Sequence, residues 1–310
     1  MLKPLAARHA GVAYAFLTAH GLRDVFLASK IESGALALPD GAAQGRFVGA
    51  FDGDRLDGVL FLGHGGLVVF ASDLPHVRRR FAELTWEERA RVRLIVGEWT
   101  QVSDFWSHLT AAGLESTRDW REVFMEATPA SLGPAREPAL RLATPADVAA
   151  LGDLSARAYL EETGLDPLAS MGEGYLRHVA KNIEEGGSYV LEDSGRLVFK
   201  ADLSARCAVG AQIVGVFTEP DRRGEGIAGR GVAELVHRLT DPAASGEAAV
   251  PAVCLFVRED NVAARRAYER AGFLPSMHYR RLFVEPASTR RGAAATSGAT
   301  PAARTGRTHP

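Results

Sequence analysis

A short turn rich in glycine and arginine, residues 222–226, has the composition of an anion-binding site. It follows a β-branched, apolar run of strand length at 212–218 and precedes an amphipathic stretch that begins at Ile227. A glycine turn at a helix start leaves backbone N–H groups without partners, and the helix dipole favours negative charge there. Glycine also lets a phosphate approach the backbone closely. The segment therefore predicts a strand, a phosphate-binding turn and a helix, in that order.

Three interpretations of this turn are open at this point: a simple connection, a dinucleotide-binding motif, and a cradle for the pyrophosphate of coenzyme A. The spacing Gly224-x-Gly226-x-x-Gly229 fits the dinucleotide pattern, but residues 219–223 separate it from the strand. In the dinucleotide motif the first glycine follows the strand almost directly. The turn alone does not decide between the three.

A second segment carries residues that could serve the same chemistry. Residues 253–257 form an apolar run, and residues 262–271 have helical character closed by Gly272. Asn261 and Tyr268 are seven positions apart, so they share one helix face. Asn261 also suits the N-cap of that helix.

Together, the two segments resemble the GCN5-related N-acetyltransferases (GNAT), over about residues 138–285. The resemblance implies that the turn holds the coenzyme A pyrophosphate, that the preceding strand receives the pantetheine and the thioester carbonyl, and that Tyr268 protonates the leaving thiolate. A phenol with a pKa near ~10 is protonated at neutral pH and can donate to a thiolate. The implied cofactor-binding residues are Val214, Gly215, Val216, Arg222, Arg223, Gly224, Glu225, Gly226, Ile227, Ala228 and Asn261.

The general base is less well marked by the sequence. Glu162 and Glu161 follow the first predicted helix of the second half, close to where family members bind the acceptor. Asp202 lies on the strand next to the predicted pantetheine strand. We rank Glu162 and Glu161 ahead of Asp202, and exposed surface charge is the competing interpretation for all three.

The two halves of the chain show the same order of predicted elements, which indicates an internal repeat. The predicted fold is α/β with a mixed sheet: tandem acyl-CoA N-acyltransferase-like lobes, the first degenerate because it lacks the glycine turn and has Leu109 where the second has Tyr268. This plan resembles two-domain GNAT proteins and is similar to that of mycothiol synthase. The predicted units are 1–128, a Pro-rich linker at 129–138, a catalytic domain at 139–285 and a disordered tail at 286–310. At the start of the chain, residues 3–20 predict a helix.

Composition limits the class of protein. The chain has 310 residues, 46% hydrophobic and 24% charged, with a net charge of −2, which gives no sign of a nucleic-acid partner. Its two cysteines and scattered histidines predict buried thiols, a reducing cytoplasm and no metal site. No signal segment or membrane span is predicted. A homodimer is left open.

The leading hypothesis is a cytoplasmic, acetyl-CoA-dependent N-acetyltransferase that acts on a primary amine, either a small molecule or a protein amine. A non-catalytic acyl-CoA-binding module is the alternative from another class, and a nucleotide-dependent oxidoreductase is a third. Retention of Tyr268 favours catalysis, because a pure binding module needs no acid at that position.

Overall fold

The computed structural model describes residues 1–38, 44–245 and 248–284. The predicted disordered tail at 286–310 lies outside the described residues. Across the described ranges, the strands are β1 (Leu2–Pro4), β2 (Gly45–Asp52), β3 (Arg55–Gly63), β4 (Leu67–Ala71), β5 (Leu94–Glu98), β6 (Ser116–Ala127), β7 (Arg141–Leu142), β8 (Ser188–Asp193), β9 (Arg196–Cys207), β10 (Gly210–Thr218), β11 (Val253–Arg258) and β12 (Leu274–Val284).

Among the described residues, four α-helices lie between the strands of the first half and six between those of the second. They are α1 (Ala10–Thr18), α2 (Val25–Glu32), α3 (Pro75–Glu87), α4 (Trp99–Ala111), α5 (Val148–Thr163), α6 (Pro167–Met171), α7 (Glu173–Glu184), α8 (Ile227–Thr240), α9 (Pro242–Ser245) and α10 (Val262–Ala271). The predicted α/β class with a mixed sheet and tandem lobes is confirmed.

The beginning of the chain differs from its prediction. Residues 3–20 were expected to form one helix, but Leu2–Pro4 pairs antiparallel with β2 and the helix begins only at Ala10. Pro4 lacks a backbone N–H and disfavours a helix interior, whereas an edge strand tolerates it.

All described strands belong to one sheet, in the order β1-β2-β3-β4-β5-β12-β6-β11-β10-β9-β8-β7. The order shows a reciprocal exchange of last strands between the two lobes. The last strand of the first half, β6, pairs with β11 of the second half. The last strand of the second half, β12, pairs with β5 of the first half and also with β6. Each lobe is thus completed by a strand from the other.

The buried cores follow this exchange. Leu282 and Val284 on β12 pack among first-lobe side chains such as Phe105. Val123 and Met125 on β6 pack in the core of the second lobe. Removing these apolar side chains from water stabilises the fold across the lobe boundary as well as within each lobe.

A further core joins the two lobes on one face of the sheet. Leu17 and Val25 from the first lobe share it with Cys207 and Cys254 from the second. Both thiols are free and buried, as the composition predicted. The predicted division of the chain at 129–138 stays a prediction, and the shared sheet and cores show that neither half holds a complete set of its own strands.

Candidate functional site

A cleft opens where two parallel strands diverge. β10 and β11 pair from Ala211 to Ile213, opposite Val253 to Leu255, and no further pairing follows towards their carboxyl ends. The space between the strands is a cleft of about 500 Å³ lined by residues 213–217 of β10 and 255–258 of β11. Because the strands separate, backbone groups of β10 beyond Ile213 face the cleft without a neighbour on that side.

A bulge in β10 causes the divergence. The register of β10 with β9 shifts between Val214 and Phe217, and Gly215 adopts a positive φ of 58°. A Cβ at Gly215 would lie 3.0 Å from the Asp202 carboxylate, so a larger residue would be both strained and crowded. The three strand residues expected to receive pantetheine, Val214, Gly215 and Val216, all line the cleft.

The glycine turn has the geometry expected for anion binding. Gly224 and Gly226 have φ values of 85° and 77°, and α8 begins directly after Gly226 without a side-chain cap. Within the described residues, no carbonyl accepts from the amides of Gly224, Glu225 or Gly226. The first helical amides, from Ile227 and Ala228, have no intrahelical acceptor by geometry. A Cβ at Gly224 would meet nothing within 4 Å, so space is open for a ligand.

The two arginines of the turn are held by carboxylates. Arg223 lies beside the cleft, where its Nη2 is 2.8 Å from Oε2 of Glu161 and its Nε donates to the carbonyl of Thr218. Arg222 binds Glu225 through two hydrogen bonds of 2.9 and 2.8 Å and also contacts Asp193. The Arg222 guanidinium holds the pKa of Glu225 below its usual value. A phosphate ligand would therefore compete with these carboxylates.

Asn261 and Tyr268 both line the cleft from α10. The Asn261 side chain caps the helix by accepting from the Ala264 amide at 3.1 Å, as its N-cap interpretation predicted. The Tyr268 ring packs in the second-lobe core, and the residue is only 6% exposed. Its hydroxyl forms no hydrogen bond with the described residues. Burial raises the pKa of Tyr268 far above its usual value, and the nearby Glu162 carboxylate raises it further.

The three candidate bases have different surroundings. Glu162 is exposed, lines the cleft, and has no ion-pair or hydrogen-bond partner in the described part of the chain. Glu161 also lines the cleft, but it is paired with Arg223. Asp202 lies behind the bulge, where it contacts Lys200 at 2.5 Å and accepts from Ser188 at 2.8 Å. Of the three, Glu162 has the carboxylate most available to a ligand.

Two further charged residues reach the cleft from the exchanged strands. Glu122 on β6 and Arg281 on β12 line it, and Glu122 Oε1 is 3.0 Å from Arg281 Nε. Glu122 is only 2% exposed, and burial raises its pKa against the opposing effect of Arg281. Sequence reasoning missed both residues. Both strands carry other charged residues, so the sequence held no signal that singled out these two.

The corresponding crevice of the first lobe is filled by side chains. β4 and β5 pair in parallel from Leu67 to Val69, like β10 and β11. Immediately beyond, the Ser72 amide donates to the Gln101 side chain, and Arg78 donates to the Ser72 carbonyl while contacting Asp104 at 2.6 Å. Leu109, at the position of Tyr268, is buried in the core. These contacts support the prediction that the first lobe is degenerate.

Comparisons with known proteins agree with this fold. Residues 158–273 match the model of the Acetyltransferase (GNAT) family. A GCN5-related N-acetyltransferase from Sphaerobacter thermophilus has 17% identity and a TM-score of 0.55, with 92% of this chain and 96% of that chain covered. A tandem GNAT protein from the clavulanic acid biosynthesis pathway has 14% identity and a TM-score of 0.57, with coverage of 92% and 98%. A Drosophila protein has 14% identity and a TM-score of 0.63, with the same coverage. No curated protein matches the chain significantly.

Residues 158–273 therefore match the GNAT acetyltransferase family model, and the described chain has the fold seen in GNAT structures. Its particular form is the tandem one, in which two lobes of the same element order share one sheet. Among the described residues, no helix is long and apolar enough to cross a membrane.

Proposed function

We propose that this chain is an acetyl-CoA-dependent N-acetyltransferase that transfers an acetyl group to a primary amine by direct attack. The observation that carries the proposal is that Tyr268, the divergent strand residues 214–216 and Asn261 line a single cleft. The Arg223–Glu161 ion pair brings the glycine turn to the side of that cleft. One extended ligand could therefore reach the turn with its phosphates and Tyr268 with its thioester.

The binding part of the proposal rests on backbone groups. The free amides around Gly224 and Gly226 donate to the pyrophosphate, and the guanidinium of Arg223 adds positive charge. The unpaired backbone edge of β10 at Val214, Gly215 and Val216 hydrogen-bonds the amide groups of pantetheine, much as a peptide strand adds to a sheet edge. Acetyl-CoA supplies the activated acyl group as a thioester.

The chemical part of the proposal assigns one residue to each proton. A primary amine with a pKa near ~10 is an ammonium ion at neutral pH and must lose a proton before it can attack. The unpaired carboxylate of Glu162 accepts that proton, directly or through water. Tyr268 donates its hydroxyl proton to the sulfur as the carbon–sulfur bond breaks, and its raised pKa keeps it protonated until then. A second proton from the amine nitrogen then restores the phenol.

The acidic character of the cleft supports an amine acceptor. Four carboxylates and two guanidinium groups line it: Glu122, Glu161, Glu162 and Asp260, with Arg258 and Arg281. Arg258 is held by Asp260 at 2.5 Å, so its charge is already compensated. Glu161 is likewise paired with Arg223 and Glu122 with Arg281, so Glu162 is the lining carboxylate outside any ion pair among the described residues. Its negative charge favours a cation over an anion as the second substrate.

Thermal unfolding with and without ligands, followed by an assay for free thiol, tests the proposal. We expect acetyl-CoA to raise the Tm of the purified protein and NADPH to leave it unchanged, because a ligand that binds the folded state stabilises it. Arg223→Ala should reduce the shift, while Arg177→Ala, which removes an exposed arginine on α7, should not. Thiol release with a panel of primary amines then identifies the acceptor. Stabilisation by acetyl-CoA without thiol release from any amine would favour a non-catalytic acyl-CoA-binding module instead.

A further inference from the structure

Glu122 occupies an unusual position for a carboxylate. It lies on β6, the strand that the first lobe contributes to the second, opposite Arg258 on β11. At 2% exposure it is buried, yet it lines the same cleft as Tyr268 and Glu162. A buried carboxylate costs free energy unless charged or hydrogen-bonding groups compensate it.

The described residues leave the Glu122 carboxylate without a full set of hydrogen bonds. Oε1 forms an ion pair with Arg281 Nε at 3.0 Å that lacks hydrogen-bond geometry, and Oε2 is buried and has no hydrogen-bond partner among the described residues. A carboxylate that served only as a structural partner for Arg281 could use both oxygens in a two-bond arrangement. The free oxygen is therefore available to a donor that arrives with a ligand.

The neighbouring charges leave a cationic donor as the best match. Glu162 lies close enough to raise the pKa of both Glu122 and Tyr268. Arg258 and Arg281 are near enough to interact with Glu162, but neither forms an ion pair with it within the described residues. Arg258 is occupied by Asp260, and Glu161 by Arg223. An ammonium group placed between Glu122 and Glu162 would satisfy the free oxygen and relieve the repulsion between the two carboxylates.

We propose that Glu122 binds the ammonium group of the acceptor through Oε2, so that the first lobe supplies an acceptor-binding residue to the active cleft of the second. The proposal rests on the N-acetyltransferase function proposed above. Glu122 holds the amine, Glu162 removes its proton and Arg281 positions the Glu122 carboxylate. The catalytically degenerate lobe is thereby required for recognition of the second substrate.

Steady-state kinetics of Glu122→Gln on the full chain test this assignment, with the amine that gives the fastest thiol release as acceptor. Because a hydrogen bond to a charged group is lost, we expect the KM for the amine to rise by about 10–100-fold. The KM for acetyl-CoA and kcat at saturating amine should stay within about twofold of wild type. Glu126→Gln is the matched control, since Glu126 lies on the same strand but bonds Ser276 away from the cleft.

Two further variants and substrates make the test independent of folding effects. Glu122→Asp keeps the charge but withdraws it by one methylene, and it should raise the KM for the amine by less than Glu122→Gln does. An arylamine, uncharged at neutral pH, should be used equally well by wild type and Glu122→Gln. Equal KM values for the amine in Glu122→Gln and Glu126→Gln would overturn the assignment while leaving the N-acetyltransferase function intact. If wild type transfers acetyl to no amine at all, both proposals fail.

Discussion

Replacing Tyr268 by phenylalanine isolates one hydroxyl in an otherwise unchanged core. The ring of Tyr268 is 6% exposed and packs against Phe273, and phenylalanine can keep those contacts. The hydroxyl forms no hydrogen bond with the described residues, so its removal leaves none of their polar groups without a partner. We therefore expect the free energy of unfolding to change by less than about 1 kcal/mol.

Turnover should respond very differently. A positioned general acid contributes about 10²–10⁴ in rate, which corresponds to about 3–5 kcal/mol of transition-state stabilisation. Tyr268→Phe should therefore lower kcat by that factor, whereas the affinity for acetyl-CoA, which we propose binds at the glycine turn and along β10, should stay the same. Thiol release at saturating substrates measures the first quantity, and isothermal titration measures the second.

Tyr279 provides the matched control. It is also a buried tyrosine, but its hydroxyl donates to the Arg23 carbonyl on the other side of the sheet. Tyr279→Phe should lower the free energy of unfolding by about 0.5–1.5 kcal/mol and leave kcat unchanged. If Tyr268→Phe turned over acetyl-CoA as fast as Tyr279→Phe does, Tyr268 would not be the acid.

Three other substitutions test separate parts of the structure. Glu161→Gln should tighten coenzyme A binding by up to about fivefold in a titration, because an exposed ion pair worth about 0.2–1 kcal/mol no longer competes for Arg223. A large loss of kcat with unchanged affinity for coenzyme A would instead identify Glu161 as the base. Burial raises the pKa of Asp24 to about 6 despite Arg23, so Asp24 contributes stability that is present below about pH 4 and lost as the pH rises to about 6. Between those two pH values, the free energy of unfolding measured in urea should fall by about 1–3 kcal/mol less for Asp24→Asn than for wild type. An equal fall in both proteins would refute the raised pKa of Asp24. Leu282→Ala should lower the free energy of unfolding by about 2–5 kcal/mol, since Leu282 on β12 is fully buried in the first-lobe core. Leu274 lies on the same strand but is exposed, so Leu274→Ala should lower it little. Equal effects of the two substitutions would argue against the strand exchange.

Features that depend on short stretches of chain were predictable. The positive φ values of Gly224 and Gly226 follow from a glycine turn before a helix, and the Asn261 cap follows from the residue preceding α10. Tyr268 shares the cleft with Asn261 because their spacing of seven places both on one side of a helix. In each case the deciding interactions lie within a few residues of one another.

The accessibility of the candidate bases was not predictable in the same way. Glu161 and Glu162 are adjacent in sequence, yet one is bound to Arg223 and the other has no partner in the described residues. Which carboxylate an arginine contacts depends on where the glycine turn lies relative to α5. That distance is fixed by packing between elements about sixty positions apart.

The sequence by itself determined the order of elements, the glycine turn before α8 and the helix that carries Tyr268, because these features arise from backbone conformation and periodicity over one or two turns. Only the tertiary structure decided that β6 and β12 change places between the lobes, and therefore that Glu122 and Arg281 meet in the cleft. An apolar strand pattern shows that a strand is buried but not which neighbour it pairs with. Pairing is settled by non-local hydrogen bonds and by the cores that both lobes share.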